Sequence, residues 1–413
     1  MDTPHNPFRR SQELFARAAE VIPCGIYGHT SPAVGLPGAF PYYADRAQGC
    51  RYWDVDGNEY IDYLCGYGPM ILGHQHPKVE EAAARLQRDA LCLNHPGPVM
   101  VDLAERLVSL IDFARWAVFG KNGSDMTTWA VQVAREHTKR RKILKIAAAY
   151  HGIGAWCTPG HGGLIEEDRA HIHDFNWNDL ESFERLLKQY RGDVAGVVMT
   201  PFHHPAFKAS EMPAPGFWPH IEAACRKEGI VLILDDIRAG FRLNLRGSHQ
   251  FFGFEPDIIC FCKAIANGHA LSATLGRKEL RVAASKVFLT GSYWNSAPAM
   301  AAAMACLDIM EKEDTVSALR RSGEALMGGL VEAGKKYGYA MLASGPPAIP
   351  FVNFDDDPDL RRQQRFCGEV TRRGAIFHPH HNWFISSAHR PDDITATLAM
   401  ANEAFAMMKN EGL

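Results

Sequence analysis

Residues 230–234 form an uninterrupted aliphatic run that leads directly into the acidic pair Asp235 and Asp236. Five consecutive aliphatic residues are typical of a strand covered on both faces, as in parallel sheets with helices on either side. A second apolar run, at residues 258–262, leads in the same way into Lys263. The two runs predict an α/β fold with polar side chains at the carboxyl ends of two buried strands.

Helical and strand-like patterns alternate between residues 66 and 309. One amphipathic helix is predicted at residues 79–91, because Val79, Ala83, Leu86 and Ala90 share one face. Strands are predicted at residues 116–119, 143–147, 194–199, 230–235, 258–262 and 273–276. This alternation favours a mostly parallel, doubly wound central sheet.

The two ends of the chain carry a different pattern. After residue 308 a long helical stretch precedes the segments "AIPFVNFD" and "AIFHPHHNWFISSA", which we expect to pair as strands, and a closing helix at residues 392–409. The first fifty or so residues contain a short helix and irregular loops, and we expect them to join this smaller α+β domain. The predicted parts are an N-terminal segment (1–65), a large domain (66–309) and a C-terminal small domain (310–413).

Lys263 and Asp235 each close a predicted strand, and ligands of open α/β sheets bind outside these strand ends. Burial lowers the pKa of a lysine and frees its lone pair to attack a carbonyl. An amine and a carboxylate facing one ligand suggest pyridoxal phosphate, held by Lys263 as a Schiff base while Asp235 keeps the pyridine nitrogen protonated. The alternatives are a lysine that snorkels to solvent and an aspartate that caps a turn.

A third segment predicts a phosphate site. The strand at residues 116–119 leads through "GKNGSD" into a helical pattern. A glycine-bearing loop at a helix start presents free amides and the positive end of the helix dipole to a phosphate. Asn122 and Ser124 add side-chain donors, and Gly123 permits a close approach. Ordinary helix capping by the same residue types is the alternative.

In its motifs the chain resembles the class-III, fold-type-I pyridoxal-phosphate aminotransferases. Within that family it is similar to the glutamate-1-semialdehyde aminomutases. The likeness runs through "LFARAAEVIP", "RYWDVDGNEYIDYLCGYGPMILGHQHP", "KNGSDM", "YHG", "LDDIRAGFR", "CKAIANG" and "AHRPDDI", and so covers most of the chain. It implies the fold-type-I architecture and pyridoxal phosphate as cofactor.

The resemblance also implies a role for individual residues. Lys263 would be the Schiff-base lysine and Asp235 the partner of the pyridine nitrogen, with Ile237 and Tyr150 on the two ring faces. The phosphate would lie on Asn122, Gly123 and Ser124. A hydroxyl from the neighbouring subunit completes this site in relatives, which implies a homodimer with shared active sites. In "TGSYWNSAP" the position falls on Ser292 or, with a single-residue gap, on Tyr293; we favour the small hydroxyl of Ser292.

Departures from the family pattern concern the substrate. The aminomutases hold a substrate carboxylate with an arginine after the first proline-glycine turn, and "PCGIYGHTSPAVGLPG" contains none. Thr200 stands where relatives usually carry glutamate, and "FHPHHNWF" replaces a segment with an acid. The candidate substrate residues are aromatic or imidazole-bearing: Tyr67, His29 and His203, with Tyr27 and His380 as further candidates.

These departures make aminomutase activity doubtful and favour an amine, amino sugar or aromatic amino acid as amino donor. Arg238 or Arg242 would still hold a carboxylate if either turns inward. The predicted reaction is a two-half transamination between a small-molecule amino donor and a carbonyl acceptor. The alternatives are an aminomutase, a racemase or a decarboxylase on the same apparatus, and a non-catalytic paralogue.

Bulk properties agree with an enzyme of small molecules. The net charge of −3 gives no reason to expect nucleic acid or a membrane as partner. The histidine pairs lack zinc-site spacing and no CxxC motif accompanies them, so no metal is expected. Ten cysteines without that motif, and an amino terminus without a basic and apolar leader, predict a cytoplasmic protein.

Overall fold

A computed structural model describes residues 6–26, 31–89 and 91–413. Strands β1 to β13 span Ala44–Gln48, Arg51–Asp54, Glu59–Asp62, Trp116–Gly120, Lys142–Ile146, Ile172–Phe175, Val194–Met199, Val231–Asp235, Ile258–Phe261, Ser272–Gly276, Met341–Ser344, Phe351–Phe354 and Ala375–Ile376. Helices α1 to α13 span Arg9–Val21, Pro32–Gly35, Pro77–Asp89, Val99–Leu110, Gly123–Thr138, Leu180–Gln189, Phe217–Glu228, Ser248–Phe252, Arg281–Lys286, Ala297–Lys312, Thr315–Tyr337, Arg361–Arg372 and Pro391–Asn410.

A seven-stranded central sheet has the order β4-β10-β9-β8-β7-β5-β6. The strands from β9 to β6 are parallel, and β10 alone runs antiparallel to both of its neighbours, β9 and β4. The predicted mostly parallel, doubly wound sheet is therefore confirmed. The predicted strands are present within one or two residues of their expected ends. Strand β6 was not predicted, because it is an edge strand with partly exposed polar residues.

The aliphatic run in β8 explains why helices cover both faces of this sheet. Val231 and Ile233 pack into the apolar cluster beneath α5 and α9, whereas Leu232 and Leu234 pack into the cluster shared with α6 and α7. Successive side chains of a strand point to opposite faces, so a strand buried on both must be apolar throughout. Asp235 is the first position at which the run can carry charge, because it lies at the carboxyl end of the strand.

The two ends of the chain meet in a second, four-stranded sheet of order β1-β2-β3-β13. Strand β13 pairs in parallel with β3, and Arg51 of β2 forms a 2.7 Å ion pair with Asp393 of α13. The expectation that both termini build the smaller α+β region is confirmed. The exact domain boundaries stay a prediction; the second one falls inside α10.

The expected pairing of "AIPFVNFD" with "AIFHPHHNWFISSA" as strands is correct only in part, because the backbone amides of Trp383 and Ile385 donate to the carbonyls of Pro350 and Ala348 at 2.8 and 3.2 Å but no strand ladder joins the two segments. Strand β12 in the first segment pairs with β11 instead, and only Ala375–Ile376 of the second segment forms a strand, which joins β3. Beyond it, Pro379 offers no amide hydrogen and the His378 side chain accepts the backbone amide of His380 at 3.0 Å. Local bonds of this kind replace a strand ladder. No helix in the described part of the chain is long and apolar enough to cross a membrane.

Candidate active site

Lys263 is separated from β9 by Cys262 alone and begins a short 3-10 turn, with a left-handed backbone φ of 45°. Asp235, the last residue of β8, is in register with Cys260 of the adjacent strand β9. Lys263 comes three residues after Cys260, just beyond the end of that strand. Burial, reinforced by the charge of Arg238, lowers the pKa of the Lys263 ammonium to about 7. A lysine with this pKa is about half neutral at pH 7, and its neutral fraction grows as the pH rises.

Asp235 is buried, and both of its carboxylate oxygens have partners within the chain. Oδ1 accepts the backbone amide of Ile237 at 3.2 Å, and Oδ2 lies 2.8 Å from Nδ1 of His151. The His151 ring is completely buried, and its Nε2 has no hydrogen-bond partner in the described ranges. The pair fixes the carboxylate at the strand end. His151, in the "YHG" segment, was not predicted, because its partner is 84 residues away in sequence.

The loop predicted to bind phosphate leads into α5. Asp125 accepts the backbone amides of Lys121 and Asn122 at 3.2 and 2.9 Å, which fixes the helix start. The next amides, of Gly123 and Ser124, begin the helix and lack intrahelical partners. A Cβ at Gly123 would lie 2.5 Å from Cδ1 of Ile237, so a larger residue there would require the Ile237 side chain to move. Gly152 is more constrained, because its φ is 119° and a Cβ would lie 2.2 Å from Ser124 Oγ.

One cavity of about 770 Å³ brings these parts together. The predicted residues that line it are Asn122, Gly123, Ser124, Tyr150, Asp235, Ile237 and Lys263. It thus contains a partly neutral amine, a fixed carboxylate, a helix start whose first amides lack intrahelical partners, and an aliphatic and an aromatic side chain for a flat ring. These groups fit the aldehyde, pyridine nitrogen, phosphate and ring of pyridoxal phosphate.

The remaining predicted site residues lie elsewhere. Ser292 and Tyr293 are exposed and are not part of the lining, although Phe288 and Trp294 of the same segment are. His203 stacks on Trp177, with ring centroids 5.8 Å apart, and does not line the cavity. Tyr67 also lies outside the lining, and its ring meets that of His381 edge-to-face. Tyr27 and His29 fall outside the described residues.

The structure distinguishes the two arginines that the sequence left open. Arg238 lines the cavity. Arg242 is buried below it, where Nη2 donates to the carbonyl of Gly68 and the guanidinium lies 5.3 Å from the centre of the Phe384 ring. Within the described residues no group of three or more histidine, cysteine, aspartate or glutamate side chains is arranged to hold a metal.

Comparison with known proteins finds relatives over most of the chain. The family model described as aminotransferase class-III matches residues 36–390. An aminopentol aminotransferase of Sphingopyxis macrogoltabida is 40% identical over 397 residues, covering 96% of this chain and 94% of the relative. A glutamate-1-semialdehyde 2,1-aminomutase of Acetivibrio thermocellus is 31% identical, covering 96% of this chain and 98% of the relative.

A solved structure extends the agreement to the fold. The internal-aldimine form of the FumI protein from Sphingopyxis sp. MTA144, with pyridoxal phosphate, has a TM-score of 0.95 and 40% identity, covering 97% of each chain. Similarity of this extent confirms the fold-type-I architecture and the cofactor predicted from the motifs.

Proposed function

This chain belongs to the class-III aminotransferase family, and we propose that its cavity carries out amino-group transfer with Lys263 and Asp235 as the catalytic residues. It is a pyridoxal-phosphate-dependent aminotransferase whose substrates are a small-molecule amino donor and a carbonyl acceptor. The observation that carries the residue assignment is the common cavity of the Lys263 amine, the Asp235 carboxylate and the helix start at Gly123.

Each residue has a distinct task in this proposal. When bound, pyridoxal phosphate supplies an aldehyde that takes up the amino group and a ring that accepts electrons. Asp235, oriented by His151, holds a proton on the pyridine nitrogen. The amides of Gly123 and Ser124 bind the phosphate, and Ile237 and Tyr150 pack against the ring.

Lys263 acts twice, as covalent anchor and as proton carrier. Its Nζ would take up the proton from the carbon that bears the donor's amino group and would give that proton up again later in the same half-reaction. The pKa of about 7 suits this exchange, because both protonation states are populated near neutral pH. The second half-reaction reverses the same proton movement.

The proposed donor is an amine, amino sugar or aromatic amino acid rather than a glutamate-like compound. The segment "PCGIYGHTSPAVGLPG" lacks the arginine with which aminomutases hold a carboxylate. The chain is 40% identical to an enzyme named for an aminopentol and 31% identical to an aminomutase, and this difference supports the same choice of donor.

The reaction is tested by giving the holoenzyme an amino donor without an acceptor. We expect the visible cofactor band to bleach and pyridoxamine phosphate to accumulate to one equivalent per site, because transamination stops halfway. A carbonyl acceptor added afterwards should restore the band.

Other outcomes identify the competing functions. A racemase or decarboxylase would convert the donor without accumulating pyridoxamine phosphate. A non-catalytic paralogue that does not carry the cofactor would show no mass gain on Lys263 after borohydride treatment. Either result contradicts the proposed transfer reaction.

The active form in this proposal is a homodimer. Two aromatic side chains beside the cavity are strongly exposed in the single chain, Phe288 at 84% and Tyr293 at 70%. Exposed apolar groups of this size are typical of surfaces covered by a partner. Ser292 lies outside the cavity of its own chain, which agrees with a role in the phosphate site of the second subunit.

Sedimentation equilibrium tests the dimer. We expect a mass of twice 45.8 kDa for the wild type, and a loss of dimer in Phe288→Glu, because a charge would be buried at the interface. Phe251→Glu is the matched control, since Phe251 is 51% exposed but does not line the cavity. A monomeric wild type, or equal behaviour of both variants, would reject this interface.

We also propose a cytoplasmic location. All ten cysteines have free thiols, and most are buried in apolar surroundings. Thiols that are not paired suit a reducing compartment.

A further inference from the structure

The active-site cavity contains a second cationic side chain that the proposed proton transfers do not use. Arg238 lies three residues beyond Asp235 and lines the cavity together with Lys263, Tyr150 and Thr200. No hydrogen bond or ion pair joins its guanidinium to any residue in the ranges 6–26, 31–89 and 91–413. The guanidinium therefore keeps its donors available for a ligand.

The surroundings of Arg238 provide little negative charge. Burial lowers the pKa of His203 to about 4 and moves the pKa values of His204 and His381 well below the usual range, with the charge of Arg238 adding to each shift. These imidazoles are neutral at pH 7. Thr200 contributes only a hydroxyl, which donates to the carbonyl of Phe202 at 2.9 Å.

Asp235 is the acidic neighbour that favours the charged form of Arg238, but its oxygens are already bonded to His151 and Ile237. It does not form an ion pair with Arg238. Arg242 differs from Arg238 in position, because it is buried, bonds the Gly68 carbonyl through Nη2 and does not line the cavity. Arg238 is thus the arginine of this segment whose donors reach the substrate space.

We propose that Arg238 binds the carboxylate of the carbonyl acceptor and thereby selects α-keto acids for the second half-reaction. A guanidinium offers a planar pair of donors that matches a carboxylate. The inference rests on the proposed function and adds a substrate class to it. An amine donor without a carboxylate makes no use of this contact, so the two half-reactions depend on different groups.

The first test compares acceptors that differ only in charge. The pyridoxamine-phosphate form of the enzyme is mixed with pyruvate or with its uncharged amide, pyruvamide, and the apparent Kd is taken from the rate at which the visible band returns. We expect Arg238→Met to raise the Kd for pyruvate about a hundredfold, since a partly buried charged partner is lost. The Kd for pyruvamide should change less than about threefold, because the uncharged amide does not depend on the positive charge.

Two further variants separate recognition from folding. Arg238→Lys keeps the charge without the planar fork and should give an intermediate Kd for pyruvate. Arg246→Met removes an arginine side chain from an exposed position eight residues further along the chain. It should leave the Kd values for pyruvate and pyruvamide unchanged. A uniform loss for pyruvate, pyruvamide and amine in both Arg238 variants would indicate a structural role and overturn the proposal.

A second readout does not require turnover. Calorimetric titration of the holoenzyme with propionate, which cannot react, should show binding in the wild type and a loss of about a hundredfold in Arg238→Met. Propionamide serves as the uncharged control.

Equal affinities of wild type and Arg238→Met for pyruvate and propionate would overturn the proposal. So would a fall in pyridoxal-phosphate affinity with unchanged carboxylate affinity, since that result assigns Arg238 to the cofactor. Neither outcome affects the proposed transfer reaction, because that reaction is judged by the donor-only experiment on the wild type.

Discussion

Replacing Lys263 by alanine is expected to lower transamination by at least about 10³-fold, because the variant loses both the covalent anchor and the proton carrier. The visible band of the cofactor bound through this lysine should also be absent. Lys263 is the lysine that lines the cavity, and its lowered pKa supplies the neutral amine that both tasks need. Absorbance spectra and donor half-reaction rates provide the two measurements.

Lys278→Ala is the matched control for this variant. Lys278 follows the neighbouring strand β10 but is exposed, so its loss should leave spectrum and rate unchanged. Added methylamine should restore part of the proton transfer in Lys263→Ala if the fold is intact, since a small amine can enter the space left by the side chain. Retention of the visible band and full turnover in Lys263→Ala would remove the basis of the residue assignment.

Replacing Asp235 by asparagine is expected to lower kcat by about 10²–10³-fold while pyridoxal phosphate still binds. Asparagine preserves the size of the side chain and can still bond His151, but it carries no charge to keep the pyridine nitrogen protonated. The ring then accepts electrons poorly, and the proton transfers at Lys263 become slow. Steady-state kinetics together with a cofactor titration measure the two effects separately.

Asp236→Asn is the control, because the adjacent acid is equally buried but does not line the cavity. Its Oδ2 accepts the backbone amide of Ser248 at 2.8 Å, a bond that an asparagine oxygen can replace. Burial raises the pKa of Asp236 to about 7, so its charge is already partly lost at neutral pH. Unchanged kcat in Asp235→Asn would mean that another group controls the ring nitrogen.

The central sheet was predictable because its information is local. The buried strands β7, β8 and β9 are apolar without interruption, and their ends are marked by Thr200, Asp235 and Lys263. The segment after Ile376 was less predictable. Its apolar and aromatic residues suit a strand, but Pro379 and the bonds of His378 favour an irregular course through the interior.

The sequence by itself determined the sheet architecture, the cofactor and the residues expected to hold it. Residues that are neighbours in the sequence set the strand ends, the helix start and the glycine positions. The motifs that contain them follow one another along the chain in the order expected from the resemblance. Only the tertiary structure decided that His151 orients Asp235 and that Arg238, not Arg242, reaches the cavity. Both outcomes depend on which side chains from distant segments become buried together, and such long-range packing leaves no signal in the local pattern of a single chain.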